Sequence, residues 1–259
     1  NIILRNLCRP FTRKMHYSSK LPQGGQLQRK VHIKWSPNFA YAIGLITSDG
    51  NLSSDGRHIT FASKDIELVK KFRVALKINN KIIRVGRGGE TVKKYYGINF
   101  GDKIFYKFLN TIGLTKKKSK TIQSVNIPER FFQDFLRGLF DGDGTFYTFW
   151  DTRWPNSFCF KLSFASASKD FIEWLRTKLS RLYEVTGYFH KGAGVINLEY
   201  TKGDSKKLFN IMYYQTKLLF LNRKYRKIKA AFQRDKKYGL VILQKQRNAT
   251  VAQPGRAEA

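Results

Sequence analysis

Acidic residues are what this sequence lacks most. Asp and Glu total 18 against 49 Lys and Arg, a formal charge of +31 over 259 residues, and the first carboxylate along the chain is Asp49. A field of that sign calls for a polyanionic partner, and nucleic acid fits it better than an anionic membrane surface. Cysteine is almost missing too. Cys8 and Cys159 are too few for a disulfide framework or a zinc site, so an intracellular, reducing compartment is expected. No apolar run is long enough to cross a bilayer, so the chain is read as soluble, with no membrane partner. The four histidines, His16, His32, His58 and His190, show no metal-ligand spacing. Apolar material is not scarce. Hydrophobic residues make up 42% and aromatics 15%, which excludes global disorder and supplies a core for one compact domain or two subdomains.

The chain repeats itself once. Ala42-Ile43-Gly44-Leu45-Ile46-Thr47-Ser48-Asp49-Gly50 matches Leu136-Arg137-Gly138-Leu139-Phe140-Asp141-Gly142-Asp143-Gly144. Downstream, Phe61-Ala62-Ser63 is echoed by Phe164-Ala165-Ser166 and Lys64-Asp65 by Lys169-Asp170, each Lys-Asp leading into an amphipathic stretch. Basic runs follow at Lys116-Lys117-Lys118-Ser119-Lys120 and Arg223-Lys224-Tyr225-Arg226-Lys227. Two copies are too few for a solenoid and suit a pseudo-twofold pair of half-domains in one chain.

Each copy reads as a helix ending at the Asp-Gly, two strands, a helix, two strands and a final helix. Strand signals lie at His58–Phe61 and Lys81–Val85, then at Phe158–Leu162 and Gly194–Leu198. Their alternation leaves one sheet face open to solvent. The fold class is therefore α+β. Residues 1–35 form a basic extension, 36–122 the first repeat, 123–129 a linker, 130–238 the second repeat and 239–259 a flexible tail. The extension fits a transit peptide, a DNA-contacting arm or upstream readthrough equally well. The second copy has a longer first hairpin, Thr148–Asn156, with no counterpart in the first, so any target should be asymmetric.

One Asp-Gly after an apolar helix is ordinary capping chemistry, with Gly50 and Gly144 suited to a left-handed cap. Two at matching places in a repeat mean more. Gly44 and Gly138 would let the two helices approach closely, so that Asp49 and Asp143 emerge together. Two adjacent carboxylates repel unless a divalent cation lies between them, and oxygen-only ligands suit magnesium.

Both nonapeptides resemble the LAGLIDADG motif of homing endonucleases, and the similarity spans about residues 36 to 238. The second copy is close to the pattern. The first has Thr47 where the motif carries its earlier acid. The resemblance implies a single-chain, two-motif enzyme acting as a monomeric pseudo-dimer. Its fold would be a duplicated αββαββα unit whose two antiparallel sheets form a saddle on double-stranded DNA. It further implies that Asp49 and Asp143 hold Mg²⁺ with the carbonyls of Ser48 and Gly142, Ca²⁺ supporting binding without cleavage. The expected activity is metal-dependent, intron-associated double-strand cleavage of a long target, leaving short 3′ overhangs.

A basic residue near each scissile phosphate is expected at Lys120 and Lys224, with Lys118 and Arg226 as substitutes. Strand alternation nominates Asn51, Ser53, Arg57, Thr60, Arg84, Arg87, Thr91 and Lys93 as DNA contacts in the first copy. In the second it nominates Tyr147, Arg153, Trp154, Lys161, His190, Lys191 and Asn197. Arg and Lys there can read guanine and Asn adenine. An RNA maturase of the same fold, with intron RNA as partner, is the runner-up, and a non-cleaving DNA-binding regulator the third. Neither acid is lost and no helix-turn-helix segment is visible, which favours the nuclease.

Overall fold

The computed structural model describes residues 30–86, 93–154 and 157–251. The first half runs α1 (Pro37–Asp49), β1 (Gly50–Leu52), β2 (His58–Ser63), α2 (Ile66–Leu76), β3 (Ile83–Val85), β4 (Tyr95–Gly101), α3 (Lys103–Thr111) and the single turn α4 (Lys118–Thr121). After an extended connection and a 3-10 turn at Glu129–Phe131 come α5 (Phe132–Asp143), β5 (Thr145–Trp150), β6 (Phe158–Ser166), α6 (Lys169–Tyr183), β7 (Tyr188–Lys191), β8 (Ile196–Tyr200), α7 (Lys202–Met212) and α8 (Asn222–Val251). The expected αββαββα order appears twice, and α4 and α8 are additions to it.

Local chemistry explains the helix starts. Ser36 caps α1, its Oγ accepting from the Phe39 N–H at 3.2 Å, and Pro37 occupies the first turn, where no N–H is needed. Asp102 caps α3 through Phe105 N–H at 2.9 Å. Its other oxygen accepts from the amides of Lys30 and Val31 at 2.7 and 2.9 Å, which pins the segment leading into α1. Ser168 caps α6.

The two sheets have the same antiparallel order, β1-β2-β4-β3 and β5-β6-β8-β7. One face of each packs against helices. In the first sheet Leu52, Ile59, Phe61, Ile98 and Phe100 are buried, and in the second Phe146, Phe160, Leu162, Phe164, Leu198 and Tyr200. The α1 and α5 helices pack together at the centre, and a single buried cluster runs through both halves.

Three expectations need correction. The β3 strand begins at Ile83 rather than Lys81. Helix α8 continues past residue 239 to Val251, carrying Gly239 within it; the next proline, a strong helix breaker, is Pro254. Gly50 and Gly144 are not left-handed caps: their φ/ψ values are −74°/145° and −65°/149°, extended backbone. Glycine is needed there for space. A Cβ on Gly50 would lie 2.7 Å from the Ile46 carbonyl oxygen, and one on Gly144 would lie 2.2 Å from the Phe140 ring. Each strand folds straight back over the last helical turn.

Among the described residues, no helix is long and apolar enough to cross a membrane.

Candidate active centre and nucleic-acid interface

The centre is built on a backbone-to-backbone contact. A Cβ on Gly44 would stand 2.2 Å from the Phe135 carbonyl oxygen, and one on Gly138 would stand 2.1 Å from that of Tyr41. Real Cβ atoms do not approach so closely, so only hydrogen fits on either side. The contact fixes the rotation of the two helices and brings their C-termini together. There the side chain of Ser48 and a carboxylate oxygen of Asp49 flank Gly142, the latter 3.5 Å from where its Cβ would be. Asp49 is thus beside the residue that precedes Asp143. Lys118 and Lys224 each feel the charge of both carboxylates.

Two lysines, one from each half, sit on the carbonyls at the helix ends. The Lys118 ammonium donates to the Ser48 carbonyl at 3.5 Å. The Lys224 ammonium donates to the carbonyls of Phe140, Gly142 and Gly144 at 2.6, 3.3 and 2.6 Å. Each lysine sits on the exposed carbonyls of its own half's motif helix, where the helix dipole favours a cation. Burial pushes both ammonium groups down to about 8, opposed by Asp143 and Asp49 for Lys118 and by Asp141, Asp143 and Asp49 for Lys224.

Lys224 is therefore where the sequence placed it. Lys120 is not. It is exposed, and Lys118, only 6% exposed, occupies the place equivalent to Lys224. The cause is local: Lys117 adopts left-handed backbone, φ 59°, which starts α4 with residue 118 pointing inward. Two residues further round the helical turn, Lys120 points out. Arg226 is also exposed.

The earlier motif acid has a structural task. Asp141 is fully buried and accepts from Tyr41 O–H at 2.8 Å, Leu221 N–H at 2.7 Å and Tyr213 O–H at 3.4 Å. Burial raises its carboxyl, against the pull of Lys224 and these donors. It ties α5 to α1 and to the residue that leads into α8, the helix that carries Lys224. Its counterpart Thr47 only donates back to Ile43 of its own helix, at 2.8 Å. Arg137, also fully buried, extends this scaffold through Asp134 at 2.8 Å and the carbonyls of Leu219 and Met212 at 2.9 and 2.8 Å.

Among the described residues there is no group of three or more His, Cys, Asp or Glu side chains able to hold a metal ion. The donors gathered at the helix ends are the carboxylates of Asp49 and Asp143 and the carbonyls of Ser48 and Gly142. An all-oxygen set of this kind suits a hard divalent cation and not a zinc-type site.

Strand register decides which nominated contacts share the open sheet faces. In the first sheet Asn51 pairs with Thr60 and Thr60 with Asn99, one row of polar residues on the open side. Ser53 and Arg57 lie at the β1–β2 turn, and Lys93 is exposed just before β4. In the second sheet Tyr147 pairs with Lys161, and His190 with Asn197, again on the open side. Arg153 and Trp154 are exposed at the hairpin tip.

Arg84 and Lys191 do not share these faces. Arg84 pairs with Tyr96 and lies 4.1 Å over its ring, on the helix-side parity, while Ile83 and Val85 take the open side. Lys191 pairs with Ile196 and shares parity with Phe189, on which Arg176 of α6 stacks. Both strands are sheet edges, and Arg84 and Lys191 stay exposed there, so polar residues are tolerated at inner-face parity. Arg87 and Thr91 lie outside the described residues. The sequence reading missed Asn99, Tyr188 and Glu199, which the register places on the open faces. Continuing the alternation through Tyr95–Gly101 and Ile196–Tyr200 would have found Asn99 and Glu199.

The family model for the LAGLIDADG-like domain matches residues 133–210. No curated protein matches the chain in sequence. Several solved structures share its fold. Meganuclease I-SmaMI bound to uncleaveable DNA is 13% identical with a TM-score of 0.54, over 82% of this chain and 96% of that one. LAGLIDADG meganuclease I-AabMI bound to uncleaved DNA is 14% identical with a TM-score of 0.54, over 82% and 92%. Homing endonuclease I-WcaI bound to its DNA recognition sequence is 16% identical with a TM-score of 0.50, over 72% and 88%. The resemblance read from the paired Asp-Gly motifs therefore stands: residues 133–210 match the LAGLIDADG-like domain, and the described chain has the fold of LAGLIDADG homing endonucleases.

Proposed function

We propose that this chain is a site-specific, divalent-metal-dependent DNA endonuclease that cuts both strands of a long, asymmetric duplex. One observation carries the reading. Two helices in backbone contact deliver Asp49 and Asp143 to one place, and a lysine from each half, Lys118 buried and Lys224 half-buried, lies within the field of both. A scaffold that served packing alone would gain nothing from gathering two of its 18 acids there. The charge of +31 and the two open faces supply a polyanion-binding surface around that centre. The similar structures named above were solved with DNA.

Asp49 and Asp143, with the carbonyls of Ser48 and Gly142, would hold Mg²⁺. Such an ion polarises the phosphoryl oxygen, lowers the pKa of water and neutralises the leaving oxygen. The protein contributes position and charge. The glycine contact keeps both carboxylates in fixed register, so no reorganisation is needed when the phosphodiester arrives. Lys118 and Lys224 place a cation on each side, next to where negative charge grows on the phosphorane. Burial keeps them short of water and strengthens that interaction.

The test has two steps. Duplexes bound by the full chain are selected from a randomised pool in Ca²⁺, and the recovered duplex is then incubated with Mg²⁺. Cleavage of both strands with 3′ overhangs is expected in Mg²⁺, and binding alone in Ca²⁺. Tight, sequence-specific binding without cleavage in either ion would refute the nuclease and leave a DNA-binding regulator.

A further inference from the structure

The open face of the second sheet holds a feature that a plain polyanion-binding surface would avoid. Glu199, on inner strand β8, is the only carboxylate among the described strand residues of either open face. It is 8% exposed. Its two oxygens are occupied: Oε1 accepts from Tyr147 O–H at 3.1 Å and Oε2 from Lys161 Nζ at 3.0 Å. Tyr188 pairs directly with Glu199 across β7 and β8 and lies beside both charged groups. The Lys161 ammonium lies 4.9 Å over the Tyr188 ring and 5.8 Å over that of Phe149. The cluster therefore spans all four strands, with Tyr147 and Phe149 on β5, Lys161 on β6, Glu199 on β8 and Tyr188 on β7.

We propose that Lys161, held by Glu199, Tyr147 and Tyr188, is a base-reading element that selects guanine at one position of the target half facing the second sheet. The inference rests on the DNA-cleaving reading above and assigns a specificity determinant within it. Charge is the first argument. A lysine already paired with a buried carboxylate offers a phosphate almost no net charge, and the carboxylate repels it. Phosphate contact is thus a poor use of this group.

Donor geometry is the second argument. An ammonium has three donors and no acceptor, and here one donor is committed to Glu199 while the rings of Tyr188 and Phe149 flank the group. The remaining N–H groups are confined by these neighbours, on a side chain that would otherwise be flexible. In the major groove, the O6 and N7 acceptors of guanine are the partners a single fixed ammonium finds best. Glu199 is a positioning residue here. It acts through Lys161.

The first sheet shows that this is a property of one half. Through the matched strand registers, His58 stands where Lys161 does, Asn99 where Glu199 does and Ser53 where Tyr147 does. None of these places a fixed ammonium on the face.

The test measures base preference and salt dependence together on the full chain. Duplexes are selected from a randomised pool in Ca²⁺, and binding is measured on the recovered duplex and its single-base-pair variants. The wild type should prefer G·C at one pair on the second sheet's side. In the double variant Lys161→Met/Glu199→Gln, which removes the ion pair without baring a carboxylate, that preference should flatten by about tenfold or more, while the salt slope of binding stays unchanged. In Glu199→Gln the released ammonium gains a net charge. The slope should then steepen by about one and the same position should lose preference. If the double variant instead weakens binding to every duplex equally and lowers the slope by about one, Lys161 is a phosphate contact and the proposal falls. A position whose preference survives Glu199→Gln would remove the positioning role. Failure to enrich any duplex would overturn the DNA-cleaving reading itself, and the proposal with it.

Discussion

The two halves share a backbone plan and differ in what they mount on it. At the centre they are near copies. Gly44 faces the partner helix as Gly138 does, Asp49 follows Ser48 as Asp143 follows Gly142, and each half lays one lysine on its own helix end. At the open faces they diverge, one carrying Asn51, Thr60 and Asn99, the other a Lys–Glu–Tyr cluster. The same division appears in how the lysines are anchored. Lys224 holds three carbonyls and starts a helix tied down by Asp141, whereas Lys118 holds one carbonyl from a single turn. Under the proposed function, the duplicated chain keeps symmetry where the two strands of its DNA would present the same chemistry. It abandons symmetry where their sequences differ.

The comparison can be broken most sharply at its symmetric point. Asp49→Asn and Asp143→Asn should each abolish double-strand cleavage while sparing binding, measured on the selected duplex in Mg²⁺ and Ca²⁺. Full cleavage by either variant would remove that acid from the centre. Next in size is the helix contact. Gly44→Ala and Gly138→Ala should each destabilise the fold by about 3 kcal/mol or more, because a methyl group would be forced onto a backbone carbonyl that cannot move away alone. Denaturant titration checks this, and a loss confined to one of the two would contradict the paired geometry.

The asymmetric scaffold comes third. Asp141→Ala leaves the Leu221 amide and the Tyr41 hydroxyl without an acceptor, at about 2–5 kcal/mol. Thr47→Ala at the equivalent place should lose less than about 1 kcal/mol, since its hydroxyl only adds a second donor to a helical carbonyl. Equal losses would mean that the two motif acids' positions do the same work. A smaller difference separates the lysines. Because burial disfavours both ammonium groups in the folded protein, Lys118→Met should raise stability at neutral pH in a denaturant titration, and Lys224→Met should raise it less, since Lys224 recovers more through its three carbonyls. Smallest of all, Lys120→Ala should stay within about 0.5 kcal/mol of wild type and leave cleavage unaltered.

Much of the site was legible before any coordinates. A repeat with Gly and Asp at matching places implies two helices brought into contact and two carboxylates brought together, because both conclusions follow from spacing alone. Lys224 was legible for the same reason, as one basic residue in a run near the right helix. Lys118 was not, because a run of lysines gives no phase: a left-handed Lys117 turned the chain and chose which one points in. Arg84 and Lys191 misled because alternation tells which residues share a face, not which face is covered. At the edge strands, where Arg84 and Lys191 stay exposed at inner-face parity, only the packing decides.

The duplication, the α+β class, the paired acids and the strongly basic charge all lie in the sequence itself, since composition and spacing carry these directly. Tertiary structure decided the inward lysine of the first half, the structural use of Asp141 and the Glu199 cluster on the second sheet. Each of those depends on residues far apart in the chain being set side by side, and local pattern holds no record of that.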